Sequence, residues 1–67
     1  MRIKVNGESF ETTRAGTIFE LLHELKIESA RVAAVEVNLS IIKRAGFSTF
    51  KLKEGDEIEI VNFVGGG

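Results

Sequence analysis

Residues 2–13 have the sequence RIKVNGESFETT, in which polar and apolar side chains alternate on either side of a turn dipeptide. The alternation before the turn places Ile3 and Val5 on one face of a half-buried strand. Asn6-Gly7 is a strong signal for a two-residue hairpin, because both central positions of a type I′ turn need a positive φ. The residues after the turn return antiparallel, so the chain is predicted to open with a β-hairpin.

A helix is predicted to follow the hairpin. Thr17-Ile18-Phe19-Glu20 has the form of a capping box, in which the threonine hydroxyl and the glutamate carboxylate satisfy the first free backbone amides. Apolar side chains then recur at helical spacing and form one stripe that would lie across the sheet. The members of this stripe are Ile18, Leu21, Leu22 and Leu25. The helix is expected to end near Leu25 or Lys26.

Three more strands are expected after the helix, at residues 31–38, 41–43 and 57–64. The last of them follows a turn in which Gly55 supplies the positive φ. Its alternation sends Ile58 and Ile60 to the core. The side chains of the opposite face are Glu57, Glu59, Val61 and Phe63.

This order of elements predicts an α+β fold of the β-grasp (ubiquitin-like) type, a mixed sheet of four or five strands packed on one helix. A right-handed crossover would set the third strand at an edge and bring the last strand to the middle. Residues 1–64 are predicted to form a single domain, and residues 65–67 a flexible tail.

Composition excludes several classes of function. The 67 residues carry a net charge of -1, which attracts neither nucleic acid nor an anionic membrane, and they include no cysteine for a disulfide or a thiolate metal site. A signal-peptide pattern and a membrane-length apolar run are both missing, so the expected compartment is the cytoplasm. His23 is expected to be a solvated or half-buried helix residue without a role. The sequence offers no nucleophile with a base and an orienting group, which predicts that the protein is not an enzyme.

The sequence ends in Gly65, Gly66 and Gly67. A carboxylate that must pass through a narrow enzyme channel needs neighbours without a Cβ, because the backbone then lies flat against the walls. The glycines are therefore interpreted as a tail that carries a reactive carboxylate. Val61 and Phe63 either are ordinary exposed apolar residues or form an anchor for a partner beside this tail.

The whole chain resembles the ThiS-type sulfur carrier proteins of thiamin biosynthesis, a ubiquitin-like family that ends in Gly-Gly. Shared segments are Val5-Asn6-Gly7-Glu8, Thr17 with Leu21-Leu22, Val35-Glu36-Val37-Asn38 with Arg44, Lys53-Glu54-Gly55-Asp56-Glu57-Ile58-Glu59-Ile60, and Phe63-Val64-Gly65-Gly66-Gly67. One departure is Lys43, where the family usually has proline.

The resemblance implies a carrier that is a protein co-substrate of partner enzymes. An adenylyltransferase of the ubiquitin-activating type would use ATP to adenylate the Gly67 carboxylate, and a persulfide enzyme would supply sulfur to form a thiocarboxylate. Thiazole synthase would receive that sulfur after Gly65 and Gly66 let the tail enter its active site. Glu59, Val61, Phe63 and Arg44 are the expected partner-binding residues. The chain itself would bind no ATP and no metal, and it would be a monomer when free.

Two alternatives stay open at this point. A carrier of the same chemistry could serve molybdopterin synthase, tRNA thiolation or cysteine synthesis. A non-covalent β-grasp binding module would instead have no use for the tail.

Overall fold

The computed structural model describes residues 1–63, so the predictions for the tail and for Val64 fall outside the described residues. The described elements are strands β1 (Arg2–Val5) and β2 (Glu8–Glu11), helix α1 (Ile18–Glu24), and strands β3 (Val32–Val37), β4 (Ser40–Ile42) and β5 (Glu57–Asn62). One sheet contains all five strands in the order β2-β1-β5-β3-β4. β1 and β5 run parallel, and the other neighbours run antiparallel. The predicted mixed sheet with one helix is confirmed.

The position predicted for the third strand is wrong, although the last strand lies in the middle as expected. β4 pairs with β3 through Val37–Ser40 and Val35–Ile42, and it therefore covers the edge that β3 was expected to form. The reason is the tight turn at Asn38 and Leu39, which folds the chain straight back onto β3. Both turn residues have positive φ, at 51° and 74°.

The capping box at the start of α1 is present. The backbone N–H of Glu20 donates to the Thr17 hydroxyl at 3.2 Å, and the Glu20 carboxylate accepts from the N–H groups of Thr17 at 3.0 Å and Gly16 at 2.8 Å. These backbone donors hold the pKa of the Glu20 carboxyl below its ordinary value, because they favour the charged form. Leu25 caps the other end of the helix, as predicted.

The core lies between α1 and one face of the sheet. Three of the four predicted stripe residues, Ile18, Leu21 and Leu22, are buried, while Leu25 packs at the margin. The other large buried side chains are Ile3, Val32, Val35, Val37, Phe47, Leu52 and Ile58. No helix among residues 1–63 is long and apolar enough to cross a bilayer.

Asp56 lies near Glu54, Glu57 and Glu59 in the sequence, and such a cluster of carboxylates is typical of a solvated acidic surface. The Asp56 side chain, however, is buried, and its two oxygens accept from the Asn38 amide at 2.9 Å and from the Lys53 N–H at 2.7 Å. The Asn38 side-chain oxygen in turn accepts from the Glu57 N–H at 2.9 Å. This network fixes the point at which β5 begins.

Lys43 occupies the position where the resemblance led us to expect proline. Its backbone has φ -80° and ψ 163°, an extended conformation that proline also adopts. The turn of residues 44–46 that follows therefore forms without a proline.

Candidate functional site

The outer face of the sheet is the face turned away from α1, and near the end of β5 it carries exposed apolar side chains. Val61 is 42% exposed and Phe63 is 59% exposed, whereas Ile58 on the opposite face is buried. The alternation of side chains along a strand places Glu59, Val61 and Phe63 on the same side. The face predicted from the sequence for these three residues is confirmed.

Phe63 is held in place on both its backbone and its ring. Its N–H donates to the Arg31 carbonyl at 3.0 Å, which continues the pairing with β3 one residue beyond β5. The Arg44 guanidinium lies over the ring, 5.8 Å from its centroid. At an exposed site such a cation–π contact contributes about 0.5–1 kcal/mol. Phe63 therefore has a defined position, and only Val64 lies between it and the glycine tail in the sequence.

Ile41 belongs to the same face, although the sequence analysis gave it no role. It lies opposite Glu36 on β3, and Glu36 lies opposite Glu59 on β5, so the three side chains form one row across the sheet. Ile41 is 64% exposed. Alternation within Ser40-Ile41-Ile42 was the available signal, because it puts Ile41 and Ile42 on opposite faces.

The site combines an apolar centre with charges of both signs at its margins. Val61 is paired with Ala34, and the neighbouring row contributes the carboxylates of Glu36 and Glu59. Arg44 provides a positive charge on the side of Phe63. This surface, which we call the tail-end surface, consists of Ala34, Glu36, Ile41, Arg44, Glu59, Val61 and Phe63.

The structure brings together the four sequence-predicted binding residues Glu59, Val61, Phe63 and Arg44. Gly65, Gly66 and Gly67 lie outside the described residues. His23 is exposed on α1, away from the sheet. No group of three or more histidine, cysteine, aspartate or glutamate side chains in the described part of the chain is placed to hold a metal ion.

Comparison with known proteins gives matches over the whole chain. The model of the ThiS family matches residues 3–67. The sulfur carrier protein ThiS of Bacillus subtilis is 36% identical over 66 residues, covering 97% of this chain and 98% of that protein. The crystal structure of the thiamine biosynthesis protein ThiS from Geobacter metallireducens superimposes with a TM-score of 0.81 at 35% identity, and each chain is covered completely.

A second group of relatives is much longer. The thiazole synthase of Paramagnetospirillum magneticum is 39% identical over all 67 residues of this chain, and that of Magnetococcus marinus is 37% identical. The chain spans only 20% of the length of each of these proteins. In both, a segment similar to this chain is part of a polypeptide named as thiazole synthase.

Proposed function

The chain belongs to the ThiS family, and from this membership we propose that it is a sulfur carrier protein of thiamin biosynthesis. One observation carries the proposal: the sulfur carrier ThiS of Bacillus subtilis matches nearly end to end in both chains. The five-stranded fold supports it, because the structure that superimposes is that of a thiamine biosynthesis protein of the same family.

The proposed chemistry takes place at the carboxylate of Gly67. A carboxylate oxygen attacks the α-phosphorus of ATP, and pyrophosphate leaves, so that the glycine carboxyl becomes an acyl adenylate. The terminal sulfur of a cysteine persulfide then forms a bond to the acyl carbon as AMP leaves. A second thiol then attacks the cysteine sulfur of this acyl disulfide, which forms a disulfide between the cysteine and the second thiol and releases the glycine as a thiocarboxylate. The carrier contributes the carboxyl group, and the partner enzymes contribute ATP, sulfur and catalysis.

The tail glycines have separate roles in this scheme. Gly67 is the residue that changes covalently. Gly66 keeps the backbone beside it narrow enough to enter an active site, and Gly65 is a spacer.

The tail-end surface is proposed as the docking site for the adenylyltransferase. Protein interfaces commonly have a centre of aromatic and aliphatic side chains and a rim of polar and charged ones, and this surface has the same composition. Val61, Phe63 and Ile41 would form the apolar centre. Glu59 and Arg44 would pair with opposite charges on the partner, which favours correct orientation and fast association.

The proposed recipient of the sulfur is thiazole synthase. The relatives that carry that name contain a segment similar to this whole chain, which supports a carrier and a synthase that act together. The sulfur donor is proposed to be a persulfide enzyme. In this scheme the carrier is a co-substrate without a bound cofactor.

Intact-protein mass spectrometry tests the proposal. The purified chain is incubated with ATP, the ubiquitin-activating-type enzyme of the same cell and a persulfide donor. We expect an AMP adduct without the donor, and a carboxyl group with one oxygen replaced by sulfur when the donor is present. A variant that lacks Gly65, Gly66 and Gly67 is the matched control and should stay unmodified. An unchanged wild-type mass, with an enzyme proven active on its own carrier, contradicts the proposal.

Transfer to thiazole synthase distinguishes the pathway from the other sulfur carriers. The thiocarboxylate form is mixed with thiazole synthase and its small-molecule substrates, and thiazole product is measured. Formation of the thiocarboxylate without any transfer would assign the chain to another sulfur-transfer pathway.

A further inference from the structure

β5 extends beyond its neighbour β1. The two strands pair only at Lys4–Glu57 and Val5–Ile58, after which β1 turns away into its hairpin. Asn6 completes the contact, because its N–H donates to the Ile58 carbonyl at 2.8 Å and its side-chain oxygen accepts from the Ile60 N–H at 2.8 Å. Beyond Ile60, β5 has no strand on this side among the described residues.

The opposite side of β5 stays paired to its end. β3 pairs with Val61 through Ala34 and with Asn62 through Val32, and the Phe63 N–H reaches the Arg31 carbonyl. The N–H and C=O groups of successive residues point to opposite sides of a strand. Those of Val61 and Phe63 point toward β3. The N–H and C=O of Asn62 therefore point to the side that β1 has left. No hydrogen bond from residues 1–63 meets them there.

The result is a short free strand edge directly before the tail. Unpaired backbone groups on a strand edge are a template for another extended segment, and partner proteins use such edges to add a strand to a sheet. A groove between residues 26–31 and the end of β5 adjoins Asn62 and leaves space beside the edge. Its other lining residues are Lys26, Ile27, Glu28, Ala30, Arg31 and Phe63. The edge thus offers both hydrogen-bonding groups and space.

We propose that thiazole synthase docks on this edge by adding an extended segment of its own chain beside Ile60–Asn62. The choice of partner rests on the proposed function and on the relatives in which a similar segment and thiazole synthase share one polypeptide. In the complex, the Asn62 N–H donates to a backbone carbonyl of the synthase, and the carbonyl groups of Ile60 and Asn62 accept from its N–H groups.

Asn62→Pro and Asn62→Ala form a matched pair of variants for the test. Proline removes the Asn62 N–H, which faces the free edge, and puts its ring in the path of an added strand, while the N–H groups that bond to β3 stay in place. Alanine removes the same side chain and keeps the N–H. We expect both variants to keep the circular dichroism spectrum of the wild type.

Binding to thiazole synthase is measured by calorimetry. One lost hydrogen bond together with the steric block predicts that Asn62→Pro binds about tenfold or more weakly than Asn62→Ala. Equal affinities of the two variants would overturn the proposal. If Asn62→Pro does not fold, amide hydrogen exchange in the wild-type chain decides instead. We then expect the Asn62 N–H to become protected from exchange when the synthase is added. An unchanged exchange rate would contradict the proposal that the synthase adds a strand there.

The proposed function can fail separately from this inference. A wild-type chain that forms no thiocarboxylate contradicts the proposed function. A wild-type chain that transfers sulfur to thiazole synthase, while its Asn62→Pro and Asn62→Ala variants bind alike, contradicts only the added strand.

Discussion

The side-chain oxygen of Asn6 accepts a hydrogen bond from the backbone N–H of Ile60, 54 residues away, at 2.8 Å. Asn6 lies in the first hairpin turn with φ 51°, and it takes the place of the backbone carbonyl that a longer β1 would have offered. Asn6 thus forms the first hairpin turn and also binds β5 through the N–H of Ile60.

Replacement of Asn6 should separate these two contributions. Asn6→Gly keeps the positive φ and loses the hydrogen bond, which predicts a loss of about 1 kcal/mol in the free energy of unfolding. Asn6→Ala also strains the turn, for a total loss of about 2 kcal/mol. Urea denaturation measures both values. Equal losses for glycine and alanine would show that the turn conformation contributes nothing.

The second hairpin turn has leucine where the first has glycine. Leu39 has φ 74° and is 90% exposed, so its side chain gains little from packing to offset the strained backbone. We expect Leu39→Gly to raise the free energy of unfolding by about 0.5–1 kcal/mol. Gly7→Ala is the reciprocal control: Gly7 has φ 85° with open space around it, and a loss of about 1 kcal/mol is expected. Thermal unfolding that shows a destabilised Leu39→Gly chain would contradict this.

Asp56→Asn should be destabilising although the two side chains have the same shape. Both Asp56 oxygens accept hydrogen bonds, from Asn38 and Lys53, and an amide NH₂ group can only donate. One donor would be left without an acceptor, at a cost of about 1–3 kcal/mol. A double-mutant cycle with Asn38→Ala measures the coupling by denaturation. Additive losses would mean that the two side chains act independently.

Stability should fall on acidification in part through Glu20. Its pKa is lowered in the folded chain from an ordinary value of 4.5 by the N–H groups of Gly16 and Thr17. A lowered carboxyl pKa gives stability that is present above the unfolded value and lost as the pH falls through the folded value. Urea denaturation from about pH 6 down to about pH 3 should therefore show a shallower decline for Glu20→Gln than for wild type. Glu11 also has a lowered pKa, from its contacts with the N-terminal amine and Arg2, and it contributes equally to both curves.

The tail-end surface is tested by Val61→Asp. The new carboxylate lies on the exposed face of β5, so we expect the fold to persist while adenylation becomes about tenfold or more slower at a fixed carrier concentration. Pyrophosphate release by the activating enzyme measures the rate. His23→Asp adds the same charge on the exposed surface of α1 and should leave the rate near that of wild type. Equal slowing by both variants would show a general charge effect.

Local patterns in the sequence were enough to predict most of the fold. The Asn6-Gly7 turn, the capping box at Thr17 and the alternation along β5 all depend on neighbours a few residues apart, and each is present. The mixed sheet with β5 at its centre followed from the order of these elements.

The failures concern contacts between different segments, which periodicity within one segment does not show. Asp56 looks like one more carboxylate in an acidic turn until Asn38, 18 residues earlier, is seen to donate to it. Ile41 acquires its neighbours only through the pairing of β4 with β3. The free edge at Asn62 arises because β1 and β5 differ in length, and periodicity within either strand carries no information about that difference.

The central position of β5 also fixes the order in which the molecule can be completed. Before residues 57–62 are in place, β1–β2 and β3–β4 are two separate ribbons with no strand between them, and two-stranded ribbons are at best marginally stable in water. A chain interrupted before β5 therefore cannot assemble the outer face. A partner that docks on this face, as proposed for the adenylyltransferase, would therefore bind only chains that contain β5.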